Sequence, residues 1–393
     1  MQTSIFDEVV ERRKTGCEKW DMLKELFGRE DLIPLWIADM DFKAPKEVIE
    51  TLRKAVDHGI FGYAYRLEGY YEAIEMWVKR RHNWSVKREW ITHAPGVIPG
   101  IIVAILALTV PGDKVIIQPP VYPPFSKSVL ENGRQLVHNP LKLINNRFVM
   151  DLEDLERKID KRTKLIILCS PHNPGGRVWQ KEELERLGEI CLKHNLIILS
   201  DEIHCDIVYP GNKHIPIQTL SEDIAQRSIA FFSPSKTFNL AGLRTSVTII
   251  PNKNIREAYN SILEALKIGE PNTFGMAGLE AAYRYGERWL EELINYLVEN
   301  LKFLDSFLKE RTPKLELMYP EGTFVPLINC SKLGMNPTHL RDFFINKAQV
   351  AVNIGTDYGP GGEGFVRINI ATPRKILEEG LKRIERAYRE LNL

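Results

Sequence analysis

The chain has 393 residues, 44% hydrophobic and 27% charged, with a net charge of +1. That is an ordinary globular composition, long enough for two domains and a sizeable core. So even a charge balance excludes nucleic acid or an anionic membrane as the principal partner.

The N-terminus, "MQTSIFDEVVERRK", is charged from residue 7 and has no apolar h-region, so no signal peptide is expected. The most apolar run, residues 101–110, is shorter than the roughly 20 residues a bilayer span needs. The five cysteines (Cys17, Cys169, Cys191, Cys205 and Cys330) are odd in number and form no C-x-x-C pair. They are expected to be buried thiols in a reducing compartment, and the protein to be cytoplasmic.

Through the middle of the chain, short apolar runs alternate with amphipathic ones. "HAPGVIPGIIVAILALTV" is a Gly/Pro turn entering an apolar helix. "KVIIQPP" (114–120), "KLIILCSP" (164–171), "NLIILSDE" (195–202), "SIAFFSPS" (228–235) and "SVTIIP" (246–251) read as strands. Being apolar almost throughout, these strands predict burial on both faces, as in a mainly parallel sheet. Segments such as "KEELERLGEICLKH" (181–194) supply the intervening helices. From about residue 271 to 309 the pattern is helical, as one or two helices leading out of the sheet. The rest mixes a few strands ("GTFVPLINC", "FVRINIA") with helices, which predicts a smaller α+β domain joined by the N-terminal segment. The boundaries fall at 45–285 for the large domain, with 1–44 and 286–393 forming the small one.

In open α/β sheets, ligands lie beyond the carboxyl ends of the strands, and the polar residues there are distinctive. Free N–H groups at Val97 and Ile98, where the apolar helix begins, suit a phosphate. Ser233, Ser235 and Arg244 in "SPSKTFNLAGLR" are further phosphate partners. Lys236, at the end of an apolar run, is placed where an ammonium is costly, whereas a desolvated amine can form an imine. Asp201 is positioned to pair with a ring nitrogen, and Tyr122 in "QPPVYPPF" to stack on a planar ring. Asp201, Glu202, His204, Cys205 and Asp206 include metal-ligating types. Alternation along an extended chain would split them between faces, so no metal is expected. In "GGEGFVRINIATPR", Phe365, Arg367 and Asn369 share one face of a strand, with Val366, Ile368 and Ile370 on the other. An imine-forming lysine, an acid for a pyridinium nitrogen and a phosphate cradle are together what pyridoxal 5'-phosphate needs.

The motifs "LWIADMDF" (35–42), "GYAY" (62–65), "PGVIPG" (95–100), "PVYPPF" (120–125), "CSPHNPGGRVW" (169–179), "SDEIHCD" (200–206), "SKTFNLAGL" (235–243) and "GFVRINIATPR" (364–374) follow one another almost end to end. In this the chain resembles the fold-type I pyridoxal phosphate enzymes of the class I/II aminotransferase superfamily. Within it, the resemblance is to the MalY/PatB branch of cystathionine β-lyases, or cysteine-S-conjugate β-lyases. The resemblance implies an α/β fold: a mainly parallel, seven-stranded-type sheet with helices on both faces, plus the smaller α+β domain.

It also implies roles. Lys236 binds the cofactor and moves the Cα proton, and Asp201 keeps the ring nitrogen protonated. Asn173 bonds the phenolic oxygen, with His204 where many relatives carry a tyrosine for that oxygen. Tyr122 stacks on the ring; Val97, Ile98, Ser233 and Arg244 bind the phosphate. Tyr63 matches a tyrosine that reaches the neighbouring subunit's phosphate, which implies a homodimer with shared sites. Arg367 takes the substrate α-carboxylate, and Ala38 lies on the substrate side. Where the branch reads Glu-Gly-Thr-Tyr-Leu-x-Trp-Leu-Asp, this chain has "EGTFVPLIN", so that Phe324, Leu327 and Asn329 replace Tyr, Trp and Asp. The residues alone leave β-elimination and transamination both open, since both need Lys236, Asp201 and Arg367; the branch resemblance favours β-elimination. A regulatory protein that retains the fold is a third reading.

Overall fold

The computed structural model of the chain describes residues 4–391. Its centre is a seven-stranded sheet built from β1 (Ile91–Ala94), β2 (Lys114–Ile117), β3 (Gln135–His138), β4 (Thr163–Cys169), β5 (Ile197–Asp201), β6 (Ser228–Phe232) and β7 (Ser246–Ile249). The strand order is β1-β7-β6-β5-β4-β2-β3. Pairings from β6 through β3 are parallel, while β7 runs antiparallel to both of its neighbours. The sequence predicted a mainly parallel sheet, and the reversal of β7 follows from connectivity. Parallel neighbours need a long crossover, whereas residues 233–245 return the chain to the same rim at which β6 ended. The strands β1 and β3 were not anticipated: "ITHA" and "QLVH" carry polar residues that weaken their apolar signal.

Both faces of the sheet are dry. On one face Val115, Ile117, Leu165, Ile167, Leu199 and Phe231 pack against the helices α3 (Val97–Leu108), α4 (Pro124–Leu130) and α7 (Lys253–Leu266). On the other, Ile116, Ile166, Leu168 and Ile198 meet α5 (Lys181–Lys193). Ala230, Phe232 and Val247 on that side join the core of α1 (Lys46–His58), α2 (Glu68–His82) and α8 (Thr273–Tyr285). Two-sided burial explains why these strands are apolar throughout.

The expected helical stretch is two helices, α8 and then α9 (Glu287–Arg311). Along α9 the residues Leu290, Leu293, Leu297, Leu301, Leu304 and Leu308 recur at helical spacing, and all are buried. Each contributes roughly 1.5–3 kcal/mol by leaving water. Beyond α9, the strands β8 (Glu316–Met318), β9 (Leu327–Asn329), β10 (Asn353–Ile354) and β11 (Phe365–Arg367) form an antiparallel sheet in the order β8-β9-β11-β10. The helix α10 (Arg374–Arg389) packs beside α9 and residues 33–34 and 350–351, burying Leu377, Leu381 and Ile384. Ile33–Pro34 pairs in parallel with Val350–Ala351, tying the N-terminal segment to this C-terminal part. Of the five thiols, four are buried and Cys17 is half-buried, so the expectation of burial fails for Cys17. Among the described residues no helix is long and apolar enough to cross a membrane.

Candidate active site

The carboxyl ends of the parallel strands surround a cavity of about 260 Å³. Register determines who arrives there. In β4, β5 and β6, Cys169, Asp201 and Phe231 lie side by side as paired residues. Asp201 is therefore the last residue of a central strand, and Lys236 follows one turn after the neighbouring strand ends. The antiparallel β7 places Ser246 opposite Ala94, and Ser246 Oγ donates to the Ala94 carbonyl at 2.9 Å. That pairing sets Arg244 and Thr245 beside Pro95 and Gly96 at the start of α3.

This corner suits a phosphate. The helix α3 begins after Gly96 with no side-chain cap, and its third residue, Pro99, has no N–H to offer. The N–H groups of Val97 and Ile98 remain, at the positive end of a helix. Both residues line the cavity together with Ser235 and Arg244. Ser233 does not line it. It caps the short helix α6 (Pro234–Thr237), accepting from Ser235 N at 3.1 Å and donating to the Thr245 carbonyl at 2.8 Å. Its place is behind Ser235, as a brace for that turn.

At the opposite end, burial governs the charges. Desolvation pushes the Asp201 carboxyl up to about 7, although the Ile203 N–H, 3.0 Å away, favours its charged form. Desolvation pulls Lys236 down to about 8; Arg367 pushes the same way, while Asp39 and Asp201 oppose it. The amine donates to the Ala38 carbonyl at 2.5 Å. Burial, with the nearby charges of Lys236 and Arg367, lowers His204 to about 3, leaving a neutral imidazole. Its buried Nδ1 has no partner among the described residues, and its ring meets Phe324 edge-on at 5.9 Å.

Arg367 is 4% exposed and forms no salt bridge among the described residues. Its Nη1 donates to Asn173 Oδ1 at 3.0 Å; its Nη2 donates to the Trp36 carbonyl at 2.6 Å and to Asn353 Oδ1 at 2.9 Å. The guanidinium lies over the Tyr358 ring at 5.1 Å. A buried cation held only by neutral oxygens is costly until an anion joins it.

The cavity thus gathers Lys236, Asp201, Asn173, His204, Tyr122, Val97, Ile98, Ser235, Arg244, Arg367 and Ala38, all expected from sequence. Tyr63 lies elsewhere and is fully exposed, on a stretch without helix or strand that also exposes Ile60, Phe61, Tyr65 and Leu67. Ile37, Cys169, Ile203 and Thr245 also line the cavity and were missed. A usable signal existed for Ile203 alone, two residues beyond the strand-end acid. The residues after Asp201 do not divide by strand alternation, because a turn at 203–206 brings His204 to the same cavity as Asp201. His204 faces the cavity, while Cys205 and Asp206 turn away and gather with His82, their donor atoms within 4.8 Å of one another. Asp206 accepts there from His82 Nε2 (3.0 Å), Trp77 Nε1 (3.2 Å) and Thr237 Oγ1 (2.8 Å), so hydrogen bonding accounts for this grouping.

The donor set fits pyridoxal 5'-phosphate on its own terms. It offers a desolvated amine, a buried carboxyl awaiting a proton-bearing partner, an imidazole nitrogen without one, and a helix start beside an arginine. A doubly wound sheet with this site defines a type I pyridoxal phosphate-dependent transferase fold. The chain belongs to the aminotransferase class I and II family, whose model matches residues 30–384. It is 43% identical to cystathionine beta-lyase PatB of Bacillus subtilis (strain 168) over 97% of this chain and 99% of that one. It is 32% identical to protein MalY of Escherichia coli (strain K12), covering 98% of each. A crystal structure of cystalysin from Treponema denticola, which contains a pyridoxal 5'-phosphate cofactor, superposes with a TM-score of 0.96 at 36% identity. That match covers 99% of this chain and all of the other.

Proposed function

We propose that the chain is a pyridoxal phosphate-dependent carbon–sulfur β-lyase, converting L-cystathionine or a related cysteine S-conjugate to a thiol, pyruvate and ammonia. The observation that carries this reading is the buried Arg367 guanidinium, with no carboxylate partner among the described residues, in the same cavity as the Lys236 amine. An amino acid's α-carboxylate supplies the missing anion and its Cα–H then faces a base.

When bound, pyridoxal phosphate supplies an aldehyde for an amine and a ring that accepts the electron pair left at Cα. The chain's own residues do the rest. Arg367 fixes the substrate carboxylate, and Lys236 removes the Cα proton. Asp201 holds the ring-nitrogen proton that lets the ring accept charge. Asn173 and His204 would hold the phenolic oxygen, and Tyr122 would cover the ring. Val97, Ile98, Ser235 and Arg244 take the phosphate. With that electron store in place, the Cβ–S bond would break with loss of thiolate, and hydrolysis of the remaining fragment would give pyruvate and ammonia.

Among the described residues, the cavity's cations are Lys236, Arg244 and Arg367, and each already has a task. None remains for a second substrate carboxylate that has no ammonium of its own, which disfavours an aspartate-type transaminase; the distal carboxylate of cystathionine brings its own ammonium. The apolar Ile37 and Ile98 beside them suit a thioether. The 43% identity to PatB supports the same reaction. The exposed Ile60, Phe61, Tyr63, Tyr65 and Leu67 support a homodimer in which Tyr63 completes the neighbouring site.

The test is product analysis on L-cystathionine and S-alkyl-cysteines. Pyruvate, ammonia and thiol should form in equal amounts with no 2-oxo acid added, and borohydride should fix the cofactor to Lys236. Turnover that depends on an added 2-oxo acid would establish transamination instead.

A further inference from the structure

The segment from Trp36 to Phe42 borders the cavity with Ile37 and Ala38 and contains neither helix nor strand. Side chains nonetheless hold most of its carbonyls. Arg367 takes the Trp36 carbonyl and Lys236 takes that of Ala38, two residues further on. Two residues of chain span at most about 7 Å, so this loop acts as a ruler between Arg367 and Lys236.

Two asparagines fasten the ruler. Asn369, fully buried and two residues beyond Arg367, donates to the carbonyls of Ile37 (2.7 Å) and Asp39 (2.8 Å). Asn239, three residues beyond Lys236, accepts from Met40 N (3.2 Å) and donates to the carbonyls of Met40 (3.0 Å) and Phe42 (2.8 Å). It does so at a φ of +59°, left-handed backbone in which asparagine is among the few tolerated side chains. Its carboxamide therefore commits both N–H donors and one acceptor position to the loop, from the turn that carries the lysine.

We propose that Asn239 is a positioning residue: its carboxamide ties the 38–42 loop to the Lys236 turn and keeps the Ala38 carbonyl in place as the acceptor for the lysine amine. Asn369 ties the same loop to the strand that carries Arg367. With its hydrogen engaged by Ala38, the neutral amine keeps its lone pair free for an aldehyde or for a Cα proton. The inference rests on the roles given above to Lys236 and Arg367.

The test uses Asn239→Gly, which suits the positive φ but removes the carboxamide, and Asn239→Asp, which keeps the Met40 N–H bond but sets a carboxylate against two carbonyls. Cofactor is stripped, and the rate of pyridoxal 5'-phosphate capture is followed by absorbance above pH 9, where the amine is neutral. Exchange of the Cα proton of a bound amino acid in D₂O is followed by NMR on the reloaded enzyme. Both variants should capture cofactor and exchange the proton at least tenfold more slowly than wild type. The unfolding midpoint of Asn239→Gly should stay within a few degrees of wild type; should it unfold, Asn239→Asp carries the test alone. Wild-type rates in either folded variant overturn the role of Asn239 while leaving the cofactor site intact. A wild-type protein that captures no cofactor overturns the site and this inference together.

Discussion

Arg367 and Asn173, 194 residues apart in sequence, are joined by a hydrogen bond of 3.0 Å in a fully buried setting. One comes from the small antiparallel sheet and the other from the loop after β4 of the large one. The guanidinium is thus aimed by a residue that, on the proposed reading, would also hold the cofactor's phenolic oxygen. On that reading, the group that would receive the substrate carboxylate and the group that would orient the ring are parts of one bonded unit.

Arg367→Ala should raise KM for the amino acid far more than it lowers kcat. Losing a buried, charge-assisted contact costs about 2–5 kcal/mol, roughly 30-fold to several thousandfold. Arg367→Lys should recover little, because a point charge cannot serve both carboxylate oxygens and Asn173 in one plane. Steady-state kinetics decides it, and a variant whose KM is unchanged would remove Arg367 from the substrate site.

Asp201→Asn should lower turnover about a hundredfold or more, while cofactor affinity falls by less than about tenfold. The reason is timing: the ring-nitrogen proton matters most when charge leaves Cα. Comparable losses in both quantities, by equilibrium dialysis and kinetics, would indicate a structural role.

Without cofactor, Lys236 should make stability depend on pH. Its folded value, about 8, lies below the ordinary 10.5, so the folded chain resists taking up this proton. Its contribution is fully present above 10.5 and is lost as pH falls through 8. Thermal midpoints of stripped wild type and Lys236→Met should therefore diverge as pH drops from 10.5 to 8, with the variant the more stable. Below 8 the gap should stay constant. A gap independent of pH across this window would mean that the amine is not desolvated.

Tyr63→Phe should weaken cofactor binding if the hydroxyl reaches a neighbouring subunit's phosphate. A hydrogen bond to a charged group is worth about 1.5–3 kcal/mol, roughly tenfold to a hundredfold. Dilution to monomers should release cofactor and activity together, as sedimentation and absorbance would report. A fully active monomer would end the shared-site reading.

What was legible in the sequence was whatever local chemistry announces. An apolar run ending in Asp201, or in Ser235 and Lys236, is conspicuous because the residues before the polar end are almost all apolar. The Gly/Pro turn before Val97 is legible for the same reason. Contacts made by folding alone were not. The apolar side chains of Cys169 and Ile37 carry no polar group of their own to mark them as cavity walls, and Asn353 supports Arg367 from a strand of two residues, too short to show a period. The position of Ser233 behind Ser235 depends on a cap that both serines could have made. The direction of β7 was hidden because a strand reads alike both ways.

That reversed strand has a consequence for inheritance. The residues from 233 to 245 leave the sheet at one rim and return to it at the same rim, delivering Lys236 and Arg244 on a single excursion. Both ends are pinned by paired strands, so adding or removing one residue there displaces an amine and a guanidinium at once. Letter-for-letter replacements can alter one of them alone. The length of this stretch is therefore under a constraint separate from its composition, and viable insertions and deletions belong elsewhere in the chain.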